Sequence, residues 1–550
     1  MKRSCGVFCV INFWMKKACI LCCLALISAG MLAGCNGKGK EKEKEKDSAD
    51  SIVCYVGHGF WDSSLDPVKG GFAYGYDFIY NALVRVNAQS EYEGDLAESW
   101  EISEDALTYT YKLKQGIHFQ DGSGLTAEDV VFTYETVMAN QGQNEKVDLS
   151  QVAQVEALDE YTVQFTLKEH FSPFLDSTAQ LGIVPSDGYD SDSYDRTPVG
   201  TGPFRVVQYD MDQQLIVEAN EDYFEGAPQI QRVTFVDMDN EAAFSNARSG
   251  QLDVVMVQPS YVAETIEGMH AERLETMDVR NISLPCREPE MLTGADGEEI
   301  AVGNPVTSDL SVRKALSIGV NRQEVIDNAF NGVGRPAKGW TDNLIWGNTK
   351  EYEDSKTEEA RQILEESGWI DTDGDGIREK DGIPCAFEIY TPSDEPDRYL
   401  LAAAVAEDVQ KLGISIEVKQ TTWDEIAVKS YTQGVVWGFG QYSPMVIDNQ
   451  FRSEHFITQT YGNPSGYQNE TADRLIEEAI AANSQAEAVA AWKEVQNVYA
   501  GDYPYLYLVN IEHCYFVSDR LDISADTQIP HPHGHGIPII CNLKDWKIKE

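Results

Sequence analysis

Between Leu107 and Met138 the apolar period changes, and that change limits the folds open to this chain. Leu107, Tyr109, Tyr111 and Leu113 alternate with Thr108, Thr110 and Lys112 before Gly116, which is the pattern of a half-buried strand. Then Val130, Val131, Tyr134, Val137 and Met138 form a helical stripe. Thr126 and Asp129 are placed as its capping pair. The same exchange recurs along the chain. Tyr161–Leu167 alternates as a strand, and Asn321 starts a helix with Glu324 as capping-box partner. A helix in 399–412 stops at Gly413 and gives way to a strand through Ile414, Ile416 and Val418. Two more helices fill 470–500 before the apolar run at 504–509. Interleaved strands and helices predict an α/β fold, and 550 residues exceed one simple core, so two or more lobes are expected.

The N-terminus reads differently. Lys16 and Lys17 precede an apolar run from Ala18, and Leu32-Ala33-Gly34 lead to Cys35. The run is too short and wrongly flanked for a spanning helix and has the shape of a secretory signal. Leu-Ala-Gly-Cys closely resembles the bacterial lipobox, which implies cleavage before Cys35 and acylation of that cysteine. Residues 1–34 are therefore read as signal peptide, with Met15 the expected true start. Residues 35–51 are charged and nearly free of apolar side chains, a lipidated cysteine followed by a solvated tether. Five cysteines lie beyond it: Cys54, Cys286, Cys385, Cys514 and Cys541. Buried free thiols are the expected state, with a Cys514–Cys541 disulfide as the alternative. A formal net charge of -47 repels phosphate backbones and excludes nucleic acid as a partner.

Several blocks, taken in order, resemble one family. "DLAESWEISEDALTYTYKLKQGIHFQDGSGLTAEDVVFTYE", "PVGTGPFRVV", "NEDYFEGAPQIQRVTF", "SGQLDVVMV", "VRKALSIGVNRQEVIDNAFNGVGRPA" and "ARQILEESGWIDTDGDGIREKDG" are similar to the oligopeptide-, dipeptide- and nickel-binding proteins of ABC importers, the family 5 solute-binding proteins. The resemblance implies a type II periplasmic-binding-protein fold, two α/β lobes with a hinge and an interlobe cleft. It places a main lobe in 52–83, 196–305 and 506–550, an appended subdomain in 84–195 and a second lobe in 306–505. It also implies a monomer that delivers its ligand to an ABC permease and ATPase, held to the outer face of the cell membrane by the Cys35 lipid. The ligand expected is a short peptide. A nickel or other metal chelate is the alternative, and a peptide-signal receptor uses the same fold. An enzyme is not expected: HExxH and GxSxG are both absent from the sequence.

Four stretches are candidates for the site. In "WGFGQYSP", peptide-binding relatives carry an aspartate three residues after the tryptophan, where it pairs with the peptide ammonium. Here that position is Gly440, so Asp448 or another carboxylate must replace it if an ammonium is bound. Trp437, Phe439, Gln441 and Tyr442 are candidate cleft-lining residues, with aromatic core as the competing role for the rings. His531, His533 and His535 alternate in "HPHGHG", a pattern that suits either a borderline metal such as nickel or a rigid turn. His58 and Trp61 follow the first strand, where open α/β sheets gather ligands. Finally, "DTDGDGIREKDG" sets Asp371, Asp373 and Asp375 at positions one, three and five of a calcium loop. Position twelve is Gly382, and a strand rather than a helix should follow. Glu379 or Asp381 could complete a looser cation site, with calcium the expected ion. Otherwise the loop is a polar turn, and no cofactor is required.

Overall fold

In the computed structural model, residues 50–57, 64–71, 78–89, 91–140, 144, 147–294, 297–339, 344–348, 351–529 and 538–549 are described. Cys35 and the leader, His58, Trp61, His531, His533 and His535 lie outside them.

Two long strands organise the main sheet. Met269–Ser283 and Tyr505–Ser518 pair antiparallel along most of their length. At one end the second of them pairs with Val254–Val257, and the sheet continues through Ser51–Tyr55, Arg232–Val236, Gln214–Ala219 and Phe204–Asp210. At the other end the first pairs with Gly434–Phe439, and the sheet continues through Ala386–Pro392 and Ser415–Thr421. The last three strands run parallel to one another, with Ala386–Pro392 in the middle. Both faces of this second half are covered. Ile282, Val436, Leu506 and Leu508 join one buried cluster, while Val279, Val435, Trp437, Tyr505 and Tyr507 join another. Alternate residues of the same strands thus feed opposite cores, as a fully covered sheet requires.

The two long strands fall out of register between Glu275 and Val279. Four residue steps on one strand oppose two, Glu512 to Asn510, on the other. Thr276 holds the break: its hydroxyl donates to the Ile511 carbonyl at 2.8 Å and accepts from the Asp278 N–H at 3.1 Å. The Thr276 hydroxyl thus pairs two backbone groups, the Ile511 carbonyl and the Asp278 N–H, at the break.

A separate four-stranded antiparallel sheet occupies the 97–167 region, in the order Ala97–Ile102, Thr108–Leu113, Thr162–Leu167 and Val152–Asp159. Helix Ala127–Ala139 packs on it, and the Thr126 N–H donates to Asp129 at 2.8 Å, the expected cap. Helix Arg322–Phe330 also begins at its expected cap, but the reciprocal contact differs. Glu324 takes the Asn321 side-chain amide at 3.0 Å, and the Asn321 backbone N–H goes to Asp408 at 3.0 Å. The helix expected before Gly413 starts at Pro396, runs to Asp408 and tightens to a 3-10 turn; Gly413 follows with φ 79. Helices Glu470–Ile480 and Gln485–Tyr499 complete the predicted series. Elements of both kinds interleave, as an α/β chain should.

No disulfide joins Cys514 to Cys541, and none of the five body cysteines is in one. Burial pushes the thiols of Cys385 and Cys514 up to about 12, so both are inert hydrophobes at neutral pH. Among the described residues no helix is long and apolar enough to cross a membrane.

Candidate ligand-binding site

Strands Ala386–Pro392 and Gly434–Phe439 end beside the register break, and the 437–444 stretch turns there into helix Met445–Phe451. Side chains alternate along the strand, so Trp437 and Phe439 share a face. Trp437 is 5% exposed, donates its indole N–H to the Ser283 hydroxyl at 2.9 Å, and packs against Trp423, Phe439 and Tyr461 with ring centroids 5.7–6.2 Å away. Phe439 is buried and meets Tyr505 edge-on. Gln441 is exposed. Tyr442 is half-buried, and its carbonyl accepts from the Trp346 indole at 2.6 Å. The stretch thus combines a packed aromatic base with an exposed polar tip.

The opposite face of the same strand carries charge. A Cβ on Gly438 would stand 2.1 Å from Arg280 Nη1 and 2.9 Å from Asp278 Oδ1, so only glycine leaves room for the side chains of the neighbouring strand. Arg280 Nη2 lies 3.4 Å from Asp278, and both residues are buried. Arg398 donates to Glu395 at 2.6 Å and to the Val436 carbonyl at 2.8 Å, with its guanidinium over the Trp423 ring. Burial, with Arg280 nearby, lowers Arg398 to about 10. Burial also raises Asp397, against the pull of Arg280. This buried ionic cluster was not legible as a motif, because its members come from 278–280, 395–398 and 438. The local sign was Asp278 and Arg280 on either side of Val279, in the fully buried part of the strand.

Asp448 does not stand ready for an ammonium. It is buried, 2.6 Å from Arg452 Nε and 2.9 Å from His455 Nε2. Asp448 lies in the helix Met445–Phe451, Arg452 just past its end and His455 in the 3-10 turn that follows, so all three fall within eight residues. A different carboxylate touches the 437–444 stretch. Asp176, on helix Phe174–Gln180, bonds to Ser443 and accepts from the Tyr92 hydroxyl at 3.0 Å and from Gln180 at 2.5 Å. Burial outweighs these three hydrogen bonds and pushes its carboxyl up to about 6.

The aspartate loop lies apart from these groups, between helix Thr357–Glu366 and strand Ala386–Pro392. Asp371, Asp373, Asp375 and Glu379 place ligand oxygens within 4.8 Å of one another, the only such group among the described residues. Asp371 also accepts from the Gly374 and Gly376 N–H groups, at 2.7 and 3.1 Å. Gly374 and Gly376 have φ 83 and 92, so two glycines supply the left-handed turns. The segment leaves through the short pair Glu379–Lys380 and Ile383–Pro384, without a second helix.

Comparison with known proteins gives a consistent result. The profile described as "Bacterial extracellular solute-binding proteins, family 5 Middle" matches residues 91–465. Protein XP55 of Streptomyces lividans is 29% identical over 536 residues, covering 92% of this chain and 93% of its own. The oligopeptide-binding protein AppA of Bacillus subtilis is 27% identical over 522 residues, covering 90% and 93%. Among solved structures, NikZ from Campylobacter jejuni in complex with Ni(L-His) superposes with a TM-score of 0.71 at 22% identity, covering 90% of this chain and 99% of its own. That likeness shows the fold, a type II periplasmic binding protein.

Proposed function

This chain belongs to the family 5 bacterial extracellular solute-binding proteins, and from that premise we propose that it captures short peptides between two lobes and presents them to its permease. It is an extracytoplasmic transport component of an ABC importer and not an enzyme. The observation that carries the mechanical reading is the paired break in the two long strands. On one face of the sheet the core changes at the break, with Leu274 and Tyr515 in the cluster of the first half and Met277 and Val279 in that of the second, and within the sheet only the two long strands cross it. A two-strand connection with a register break is where rotation costs least, so the hinge lies there, and ligand binding shifts the equilibrium towards the closed form. Phe439, Gln441 and Tyr442 supply one wall of the cleft in this reading; His58 and Trp61, the other cleft candidates, lie outside the described residues.

Gly440 favours a second reading, a metal chelate. With no carboxylate at that position and Asp448 held by Arg452, the 437–448 stretch offers no free counter-charge for an ammonium. The histidines 531, 533 and 535 are the metal-binding candidates in that reading. Native mass spectrometry of the freshly purified mature protein, followed by calorimetry with a tripeptide and with nickel–histidine, separates the two. Peptide mass and peptide heat support the first reading. Nickel with a small chelator supports the second. Failure of both probes and an empty protein would overturn transport of either ligand. Cys35 anchors the chain through a lipid in this reading. Cys35→Ser should release it from membranes, and undiminished membrane retention would refute the anchor.

A further inference from the structure

Helix Glu470–Ile480 ends with its last carbonyls pointing out of the second half of the chain, and those carbonyls need partners. They find them in the four-stranded subdomain. The Ser172 hydroxyl donates to the Ala479 carbonyl at 2.8 Å, and the Ser172 backbone N–H donates to the Ile480 carbonyl at 2.8 Å. His170 Nδ1 lies 3.3 Å from the Ala481 carbonyl. A helix C-terminus is therefore capped by residues some 310 positions away in sequence, where caps are normally local.

Ser172 is held rigidly for this contact. Phe171 and Phe174 on either side are buried, and Phe174 meets Tyr109 and Phe165 with ring centroids at 4.9 and 5.3 Å. One turn further on, Asp176 bonds to Ser443, so a second polar contact joins the same two bodies. Met445 and Ile480 pack against the hydrophobic cluster that includes Phe171 and Phe174 and fill the space between the polar contacts. Every group on the subdomain side belongs to 170–176, and every group on the other side lies beyond the register break at Thr276–Asp278.

We propose that the 170–176 segment is a closure latch, which caps helix Glu470–Ile480 and engages Ser443 only while the two lobes are shut. This rests on the hinged two-lobe reading above. In the open form, water takes over the carbonyls of residues 479–481 and Asp176 loses Ser443. The latch sets how long the closed form lasts, whatever lies in the cleft.

The test needs no ligand, so its failure leaves the transport reading standing, and failure of ligand binding does not touch it. Hydrogen exchange of the full mature protein is followed at the Ser172 amide, whose only acceptor in the closed form is across the interface. Strands Thr108–Leu113 and Thr162–Leu167 of the same subdomain are the internal control. In the wild type the Ser172 amide should open more readily than these strands but remain protected. Ile480→Glu, on the far side, should speed its exchange at least tenfold, leave the control strands unchanged and enlarge the radius of gyration in solution scattering. Ser443→Ala should act in the same direction by about tenfold, the effect of one hydrogen bond. Two results would overturn the latch: a Ser172 amide that exchanges freely in the wild type, or one that opens only with the control strands in every variant.

Discussion

Trp437→Ala distinguishes a packing residue from a ligand platform, and the structure assigns Trp437 to packing. The indole is 5% exposed and touches three other aromatic rings, one of them nearly parallel at 6.2 Å and 11°. Truncation removes a whole indole from this cluster and leaves a cavity, a change that costs about 3–5 kcal/mol in a packed core. It also leaves the Ser283 hydroxyl without its 2.9 Å donor, worth about a further 1 kcal/mol. The cavity sits under Phe439 and Tyr461, which can tilt inwards and recover part of the loss, so about 4 kcal/mol is expected. Urea denaturation of the mature protein, followed by far-UV circular dichroism, measures it. Trp437→Phe is the companion variant: it keeps a ring and loses the N–H, and should cost about 1–2 kcal/mol. The reasoning fails if Trp437→Ala unfolds within 1 kcal/mol of the wild type while its ligand affinity drops. The indole would then be a cleft wall that a local rearrangement can spare.

Arg322 is fully buried, donates to the carbonyls of Ala337 and Tyr507 at 2.7 Å and of Ser317 at 3.0 Å, and pairs with Asp354 at 2.9 Å. Arg322→Met should strand those acceptors and cost about 3–5 kcal/mol in urea denaturation. Asp176 has its folded carboxyl raised to about 6, whereas an unfolded aspartate titrates near ~3.9. The folded protein therefore binds the extra proton between those values. The stability from this group is fully present below about pH 4 and is lost as the pH rises through 6, by about 3 kcal/mol. Asp176→Asn should abolish that slope, as read from denaturation curves at pH 4 to 7. Calcium should occupy the loop of Asp371, Asp373, Asp375 and Glu379 and raise the melting temperature. At a hundredfold excess over its dissociation constant the gain is about 2.7 kcal/mol, and Asp373→Asn with Asp375→Asn should cancel it in differential scanning fluorimetry.

What could be read from the sequence follows from how far each signal travels along the chain. Strand Thr108–Leu113 and helix Ala127–Ala139 were legible because period, cap and stop signal lie within a few residues of one another. The aspartate loop was legible for the same reason, its four carboxylates falling within nine residues. Trp437 was not assignable, because position along a strand fixes only alternation. Whether the ring meets a cleft or a core depends on Trp423, Tyr461 and Ser283, and the last is 154 residues away. The register break was hidden more deeply. Glu275 to Val279 contains no glycine or proline, and the two additional residues exist only relative to the partner strand some 230 positions later.

The charges beside that break connect fold to function. Burying Asp278 and Arg280 in a strand costs free energy unless opposite charge meets them; here the two lie 3.4 Å apart, Asp397 adds negative charge near Arg280, Arg398 adds positive charge near Asp278, and Gly438 leaves the room. A strand needed only for a core would carry apolar residues at 278 and 280, as it does at 279 and 282. The charges sit instead where the two long strands lose register, at the place where the hinge reading needs a joint rather than more core.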